Sequence, residues 1–230
     1  LVAGAFTTLP MLYSIMTSFK PIDELMIFPP RFFVQRPVIT NYTELPILLS
    51  NLWVPFSRYA FNSLSISILT TILHVLVASM AAFVFAKTPL KGRKLIFTII
   101  QFSLLYNAFT LVIPQYILFA KLGVINTYMA YILPFIPSAL GVFLMKQYMD
   151  DNIPDSLIEA SRIDGAGFFT TFWRIILPIV KPAWLTLSLF MFRDLWSLPQ
   201  TGMIFNEELK TLPNVMSQIV YGGIARAGNV

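Results

Sequence analysis

Apolar residues arrive in runs long enough to cross a lipid bilayer, and no other property of the sequence restricts the fold as severely. Hydrocarbon offers no water to backbone N–H and C=O groups, so a crossing helix has to satisfy them internally, and it needs about 20 apolar residues to do so. Five runs approach that length: Leu1–Ser18, Phe61–Ala86, Leu95 to about Phe119, Tyr128–Met145, and about Ala183 to Phe205. Apolar residues make up 57% of the chain and charged ones 12%, against about 25% charged in a soluble domain. Mean hydropathy is +0.72. The expected fold is all-α, a polytopic transmembrane helical bundle forming one domain over residues 1–230.

Lysine and arginine near the span ends set the orientation. The loop after the second run holds Lys87, Lys91, Arg93 and Lys94 and no acidic residue, which places it in the cytoplasm. Alternation then puts segment 19–60 outside, loop 146–183 inside and loop 201–225 outside. Segment 19–60 carries four basic residues of its own, mixed with Asp23, Glu24 and Glu44, so charge supports this topology without deciding it. The chain opens on Leu1 with no basic stretch ahead of the first run, unlike a cleaved signal peptide.

Several kinds of chemistry are excluded. There is no cysteine and a single histidine, and neither a phosphate-cradling Gly-x-x-x-x-Gly-Lys-Ser/Thr nor a His-Glu-x-x-His or Gly-x-Ser-x-Gly pattern is present. No catalytic residue and no metal ligand is expected, and the chain has to borrow any energy from ATP. A net charge of +5 without a basic block gives nucleic acid no footing.

Polar residues inside spans are costly in lipid and turn to protein or water. Ser63, Ser67, Thr71, His74 and Ala78 fall on one helical stripe, read as close helix packing ahead of a substrate role. Ser103, Asn107, Thr110 and Pro114 share a face, where Asn107, both donor and acceptor, suits either a solute hydroxyl or an interhelical bond. Pro134 and Pro137 should bend the fourth span. Arg193, Asp194 and Trp196 read either as the lining of a solute pathway or as a structural ion-pair cluster.

The polar stretch 146–183 has the most organised pattern. Pro154 suits the first position of a helix, Asp155 and Glu159 lie toward its N-terminal half, and Gly165 and Gly167 should end it through a left-handed cap. A second short helix from Phe168 to Ile176, stopping at Pro178, should lay Phe168, Phe172, Ile175 and Ile176 against the core. Glu159-Ala160-Ser161, Gly165, Ile175 and Leu177-Pro178 fix seven positions over twenty residues. This spacing resembles the EAA loop of ABC-importer permeases, with Ser161 where a second alanine is usual.

The resemblance extends along almost the whole chain. Thr17-Ser18-Phe19-Lys20-Pro21, Asn41-Tyr42, Asn62-Ser63, Ala81-Ala82-Phe83, Gly92-Arg93-Lys94, Ile153-Pro154, Pro182 and Thr211-Leu212-Pro213 occur in the order seen in the MalG-type permease subunits of binding-protein-dependent carbohydrate importers. Trp196-Ser197 departs from the usual Trp-Asn and leaves the pathway lining there open. The resemblance implies the type I importer architecture, with a sixth span missing after the five visible. It implies that Glu159, Ala160, Ser161, Asp164, Gly165, Ala166, Ile175, Leu177 and Pro178 couple to an ATPase. It places Asn206, Glu207 and Glu208 beneath a docked binding protein. Implied partners are a homologous second permease, an ATPase dimer holding the ATP and Mg, an external solute-binding protein, a carbohydrate and the lipid bilayer of the bacterial plasma membrane.

Overall fold

The computed structural model describes residues 2–44, 54–106, 108–198 and 202–220, and all of its regular elements among these are helical. Residues divide into two compact units, Leu1–Phe56 and Ser57–Val230.

In the first unit, helix α1 (Val2–Ser18) carries Pro10 within it and is followed by a single turn at Ile22–Leu25. The segment after it is tied down by polar groups. Buried Lys20 donates to the Arg31 carbonyl and lies 5.2 Å from the Tyr13 ring. Glu24 accepts the N–H groups of Gln35 and Arg36 at 3.0 and 3.4 Å. Asn41 Nδ2 donates to the Ser18 and Lys20 carbonyls, both at 2.9 Å, and the Tyr42 hydroxyl reaches Ser18 Oγ at 2.6 Å. The Ser18–Lys20 and Asn41-Tyr42 motifs are thus the two halves of one clasp.

The second unit is built on α2 (Phe56–Lys87), 32 residues and about 48 Å at 1.5 Å per residue, ample for a bilayer. Its buried stripe includes Ser63, Ser67, Thr71, His74 and Ala78, as the packing reading requires, while Phe61, Leu64, Ile68 and Ile72 face outward. Small residues at the interface let backbones approach, and lipid accepts the aliphatic face. The helix starts five residues ahead of the expected Phe61, directly after Pro55.

Helices α3 (Arg93–Ser103), α4 (Val112–Leu122), α5 (Met129–Ile132), α6 (Ala139–Asn152), α7 (Asp155–Ile163), α8 (Phe168–Ile179), α9 (Lys181–Trp196) and α10 (Leu212–Val220) follow. One apolar cluster joins the C-terminal half of α2 to α6, α7, α8 and the start of α9, through Ala82, Phe83, Met145, Met149, Ile158, Phe172, Ile176 and Leu187. A smaller one, with Ile66, Phe119, Tyr131 and Ile204, lies nearer the start of α2.

Expected spans and observed helices differ in places. By length and composition α2 alone is a full span among the described residues. Two bent pairs also qualify, Met129–Phe135 with Ala139–Asn152 at 42° and α8 with α9 at 79°. The first bend is the one expected from Pro134 and Pro137. The third run is not one helix: α3 ends at Ser103, and Pro114, which lacks an N–H, sits in the first turn of α4 where that loss is harmless. The fifth ends at Trp196 and not near Phe205, because Leu198 precedes Pro199 and such residues leave the helical region. Loop 201–225 is not loop throughout, since α10 forms within it with its first N–H, that of Leu212, held by Ser63 Oγ at 2.7 Å.

Candidate coupling site and outer loop

Helix α7 is capped at both ends by its own sequence. Pro154 is its N-cap, extended at φ −69° and ψ 144°, one position ahead of the expected one. At the other end Asp164 is the C-cap and Gly165 takes φ +79°. Gly165 N–H donates to the Arg162 carbonyl at 3.0 Å and Ala166 N–H to the Ser161 carbonyl at 2.9 Å. These two bonds are the paired closure of a Schellman motif. They require a left-handed residue between them, which Gly165 supplies. Gly167 does not share the left-handed role: at φ −71° and ψ 167° it is the extended N-cap of α8.

The two faces of α7 differ. Ile158 and Ser161 are buried, and Ser161 Oγ donates to the Ile158 carbonyl at 2.8 Å and lies 3.3 Å from Thr171 Oγ1 on α8. A larger side chain at 161 would separate the two helices. Glu159, Ala160, Arg162 and Asp164 face outward. Ile163, unremarked in the sequence, is 86% exposed, and Phe169 beyond the turn is 63% exposed. The signal that could have found Ile163 is its place on the charged face of the helix, opposite Ile158 and Ser161.

Asp155, at the first turn, receives the Lys87 ammonium from the end of α2 at 2.9 Å. That hydrogen bond first, and the Lys87 charge second, hold the Asp155 carboxyl below its ordinary range. A cleft of about 270 Å³ lies here between the 86–93 loop and α7, lined by Lys87, Arg93, Asp155, Glu159 and Arg162 among others.

Helix α8 does not stop at Pro178. Its middle opens into a π-turn, Phe172–Ile176, with Leu177 N–H bonding to the Phe172 carbonyl. Proline has no N–H and crowds the carbonyl four residues back, and the wider turn accommodates it. The helix ends at Ile179 and meets α9 at 79°. Trp184 Nε1 donates to the Leu177 carbonyl at 3.2 Å, and the N–H groups of Ala183 and Trp184 share the Val180 carbonyl, so the corner is fixed by hydrogen bonds. Phe172 and Ile176 are buried, Ile175 and Leu177 half-buried and Pro178 exposed, while Phe168 is more exposed than expected but still stacks on Phe83 at 4.9 Å.

The pathway candidates are dispersed. Asn107 lies outside the described residues. Arg193 and Asp194 are exposed on α9, and no ion pair joins them, as expected for adjacent helix positions pointing about 100° apart. Trp196 stacks on Phe192 at 5.7 Å and 17°. Asp194 lines a 210 Å³ cavity with His74, at the break between α5 and α6. His74 Nδ1 lies 2.6 Å from the Phe135 carbonyl, which only accepts, so Nδ1 donates.

The outer loop is anchored residue by residue. Asn126, itself left-handed at φ 61°, accepts the N–H groups of Phe205 and Asn206 on Oδ1 at 3.0 and 2.8 Å. Asn62 Nδ2 donates to the Glu208 and Lys210 carbonyls at 2.7 and 3.0 Å, and Asn62 Oδ1 accepts from Tyr128 at 2.9 Å. The Tyr59 hydroxyl bonds Glu207 at 3.2 Å, and Lys210 pairs with the same carboxylate at 2.5 Å. Asn206 caps the turn through Glu208 N–H at 3.2 Å. Of the three candidates there, Asn206 and Glu207 therefore serve the fold, and the exposed Glu208 side chain alone is uncommitted to any bond. Sequence order signalled Asn62 but not its partners.

Comparison with known proteins accords with this geometry. The chain is 31% identical to the arabinooligosaccharides transport system permease protein AraQ of Halalkalibacterium halodurans, over 96% of this chain and 81% of the relative. It is 30% identical to the sulfoquinovosyl glycerol transport system permease protein SmoH of Agrobacterium fabrum, over 93% of this chain and 73% of the relative. It shares its fold with a chain in the crystal structure of a bacterial ABC transporter involved in import of the acidic polysaccharide alginate, at TM-score 0.73 and 22% identity over 96% of this chain and 78% of that one. The model of the binding-protein-dependent transport system inner membrane component matches residues 74–198, which run from the buried histidine of α2 through α7 and α8 to the end of α9. The chain is a member of that family of transport permeases.

Proposed function

We propose that this chain is the translocating subunit of an ATP-driven importer in the bacterial plasma membrane, carrying a carbohydrate, of oligosaccharide type, delivered by an external binding protein. The observation that carries the reading is the divided face of α7. Glu159, Ala160 and Ile163 project outward, while Ile158 is seated in the same apolar cluster as α2, α6 and α8 and Ser161 is buried against Thr171 of α8.

ATP and Mg are held by a partner ATPase dimer. When it closes, the groove that receives Ile163 and Glu159 moves α7. The Schellman turn, the Ser161–Thr171 contact and the Trp184-braced corner transmit that displacement to α9 with little compliance. A homologous second permease completes the pathway, and alternating access follows from the two subunits rocking. His74, Arg193, Asp194 and Trp196 supply the donors, acceptors and ring faces that sugar hydroxyls and pyranose rings bind. The substrates named for AraQ and for the alginate importer support the saccharide class. SmoH, named for a glycerol-linked glycoside, extends it to glycosides with a non-sugar group. At the outer end Glu208 offers its free carboxylate to the binding protein.

Two substitutions test the coupling reading. Glu159→Lys inverts the outward charge, and Gly165→Val forces a β-branched residue to φ +79° with open space around it, at about 1 kcal/mol or more from backbone strain alone. Both should abolish uptake and substrate-stimulated ATP hydrolysis in reconstituted vesicles while the protein still inserts. Persisting coupled hydrolysis in both overturns the reading. Cysteines introduced at Ser50 and Ser156 should label from opposite sides, and labelling of both from one side overturns the topology.

A further inference from the structure

A second polar pocket, of about 310 Å³, opens between α3 and α6 beside the end of α2 and shares Arg93 with the cleft at α7. Its walls carry Arg93, Lys94 and Lys146 against a single carboxylate, Asp150, and its floor is aromatic, with Phe85 and Phe97 at 6.0 Å. Lys146 lies 4.6 Å from the Phe97 ring and bonds Asp150 at 2.5 Å, which leaves two of its three N–H donors for something else. Arg93 makes only long contacts, 3.5 Å each, to the Ala86 and Thr88 carbonyls. The pocket therefore holds an excess of positive charge with spare donors, the chemistry that receives a phosphate oxyanion.

The surroundings choose the source of that phosphate. No residue of α3 is buried, and away from the pocket the helix exposes Leu95, Ile99 and Phe102 at 68, 59 and 62%. A surface of that kind faces hydrocarbon. The basic residues sit at the end of α3 where its apolar stripe begins, the level of lipid headgroups. The volume equals about ten waters at roughly 30 Å³ each, enough for a phosphate and a glycerol.

We propose that this pocket binds the headgroup of an anionic phospholipid, with the phosphate among Arg93, Lys94 and Lys146 and the acyl chains in the bilayer. The choice of the inner leaflet rests on the orientation adopted above.

The test uses the full-length permease in phosphatidylcholine nanodiscs doped with spin-labelled phosphatidylglycerol or phosphatidylcholine, reading the immobilised fraction. The wild type should hold phosphatidylglycerol in preference. Loss of each basic residue should weaken that preference roughly fivefold, and Arg93→Gln/Lys94→Gln/Lys146→Gln together roughly a hundredfold. Lys121→Gln/Arg174→Gln, outside the pocket, should leave it unchanged. Lys146→Arg should retain what Lys146→Gln loses, which separates charge from folding. An unaltered preference in the triple variant, or an equal loss in the control pair, overturns the proposal. Displacement of the lipid by excess inorganic phosphate overturns the lipid assignment in favour of a small anion. Sidedness is read separately by a membrane-impermeant label on Lys91→Cys. Outside labelling with the lipid preference intact defeats the orientation and leaves the pocket standing.

Discussion

The two ends of the second unit are held by different forces. At the α7–α8 end, Ile158, Phe172, Ile176, Met145 and Met149 meet in an apolar cluster. At the other end, the loop from Met203 to Lys210 is secured by Asn62, Asn126 and Tyr59 through directional hydrogen bonds. Apolar packing is non-directional, so α7 and α8, braced to each other and to α9 by their own hydrogen bonds, can shift against α2 and α6 as one piece. Hydrogen bonds weaken steeply once bent or stretched. One end is suited to receiving displacement, and the other to presenting a loop in one conformation. On the proposed function, motion and recognition fall to separate materials in one chain.

The contrast can be broken most forcefully at Phe172, which is 1% exposed and lies 5.8 Å from the Phe83 ring. Phe172→Ala should cost about 3–5 kcal/mol, seen as a large fall in melting temperature and loss of coupled ATP hydrolysis. A fall under about 0.5 kcal/mol, the surface level, would mean that the cluster does not hold α8.

A smaller effect is expected at the outer end. Asn62→Leu keeps the branched shape of the side chain but leaves the Glu208 and Lys210 carbonyls and the Tyr128 hydroxyl without this partner, at about 1–3 kcal/mol for a buried unsatisfied group. Amide exchange at 203–210 should accelerate while exchange across α7 stays unchanged. Acceleration at both ends would abolish the distinction drawn here.

Glu208→Lys should be smaller still in stability, within about 0.5 kcal/mol as for an exposed site, yet lower uptake by weakening binding-protein docking. It is a cleaner test than deleting Asn206–Lys210, which would also remove the partners of Tyr59 and Asn62. Unchanged uptake would return the loop to the role of a connector.

The smallest effect concerns pH at Asp155. Its carboxyl is lowered in the folded protein by Lys87, so its stabilising contribution is complete above the ordinary carboxylate value and fades as pH falls through the lowered one. The difference in melting temperature between wild type and Asp155→Asn should therefore be present at neutral pH and close in acid. A gap that widens in acid contradicts the pairing.

The sequence disclosed what depends on local pattern. The α7 turn follows from Gly165 and its neighbours, the inward stripe of α2 from residue type and spacing, and the bend before α6 from two prolines. It did not disclose the break after Ser103 or the early stop of α9, because apolar content alone distinguishes neither a broken helix from a continuous one nor lipid contact from a loop. The clamp on the outer loop was out of reach for another reason. Asn62 and Glu208 are 146 positions apart, and no local signal names a partner at that distance. The π-turn ahead of Pro178 likewise arises only when the corner with α9 is closed.

The reversed dressing of α2, with hydroxyls and histidine turned inward and Phe61, Leu64, Ile68 and Ile72 turned outward, sets where mutational drift is cheap. Exchanging one aliphatic for another on the outward face trades one contact with acyl chains for an equivalent one, since lipid tails are as apolar as leucine. Inside, even serine to valine alters how closely two backbones meet. Divergence should therefore accumulate on the side that looks most hydrophobic, and the hydroxyl-bearing side becomes the archive of the fold.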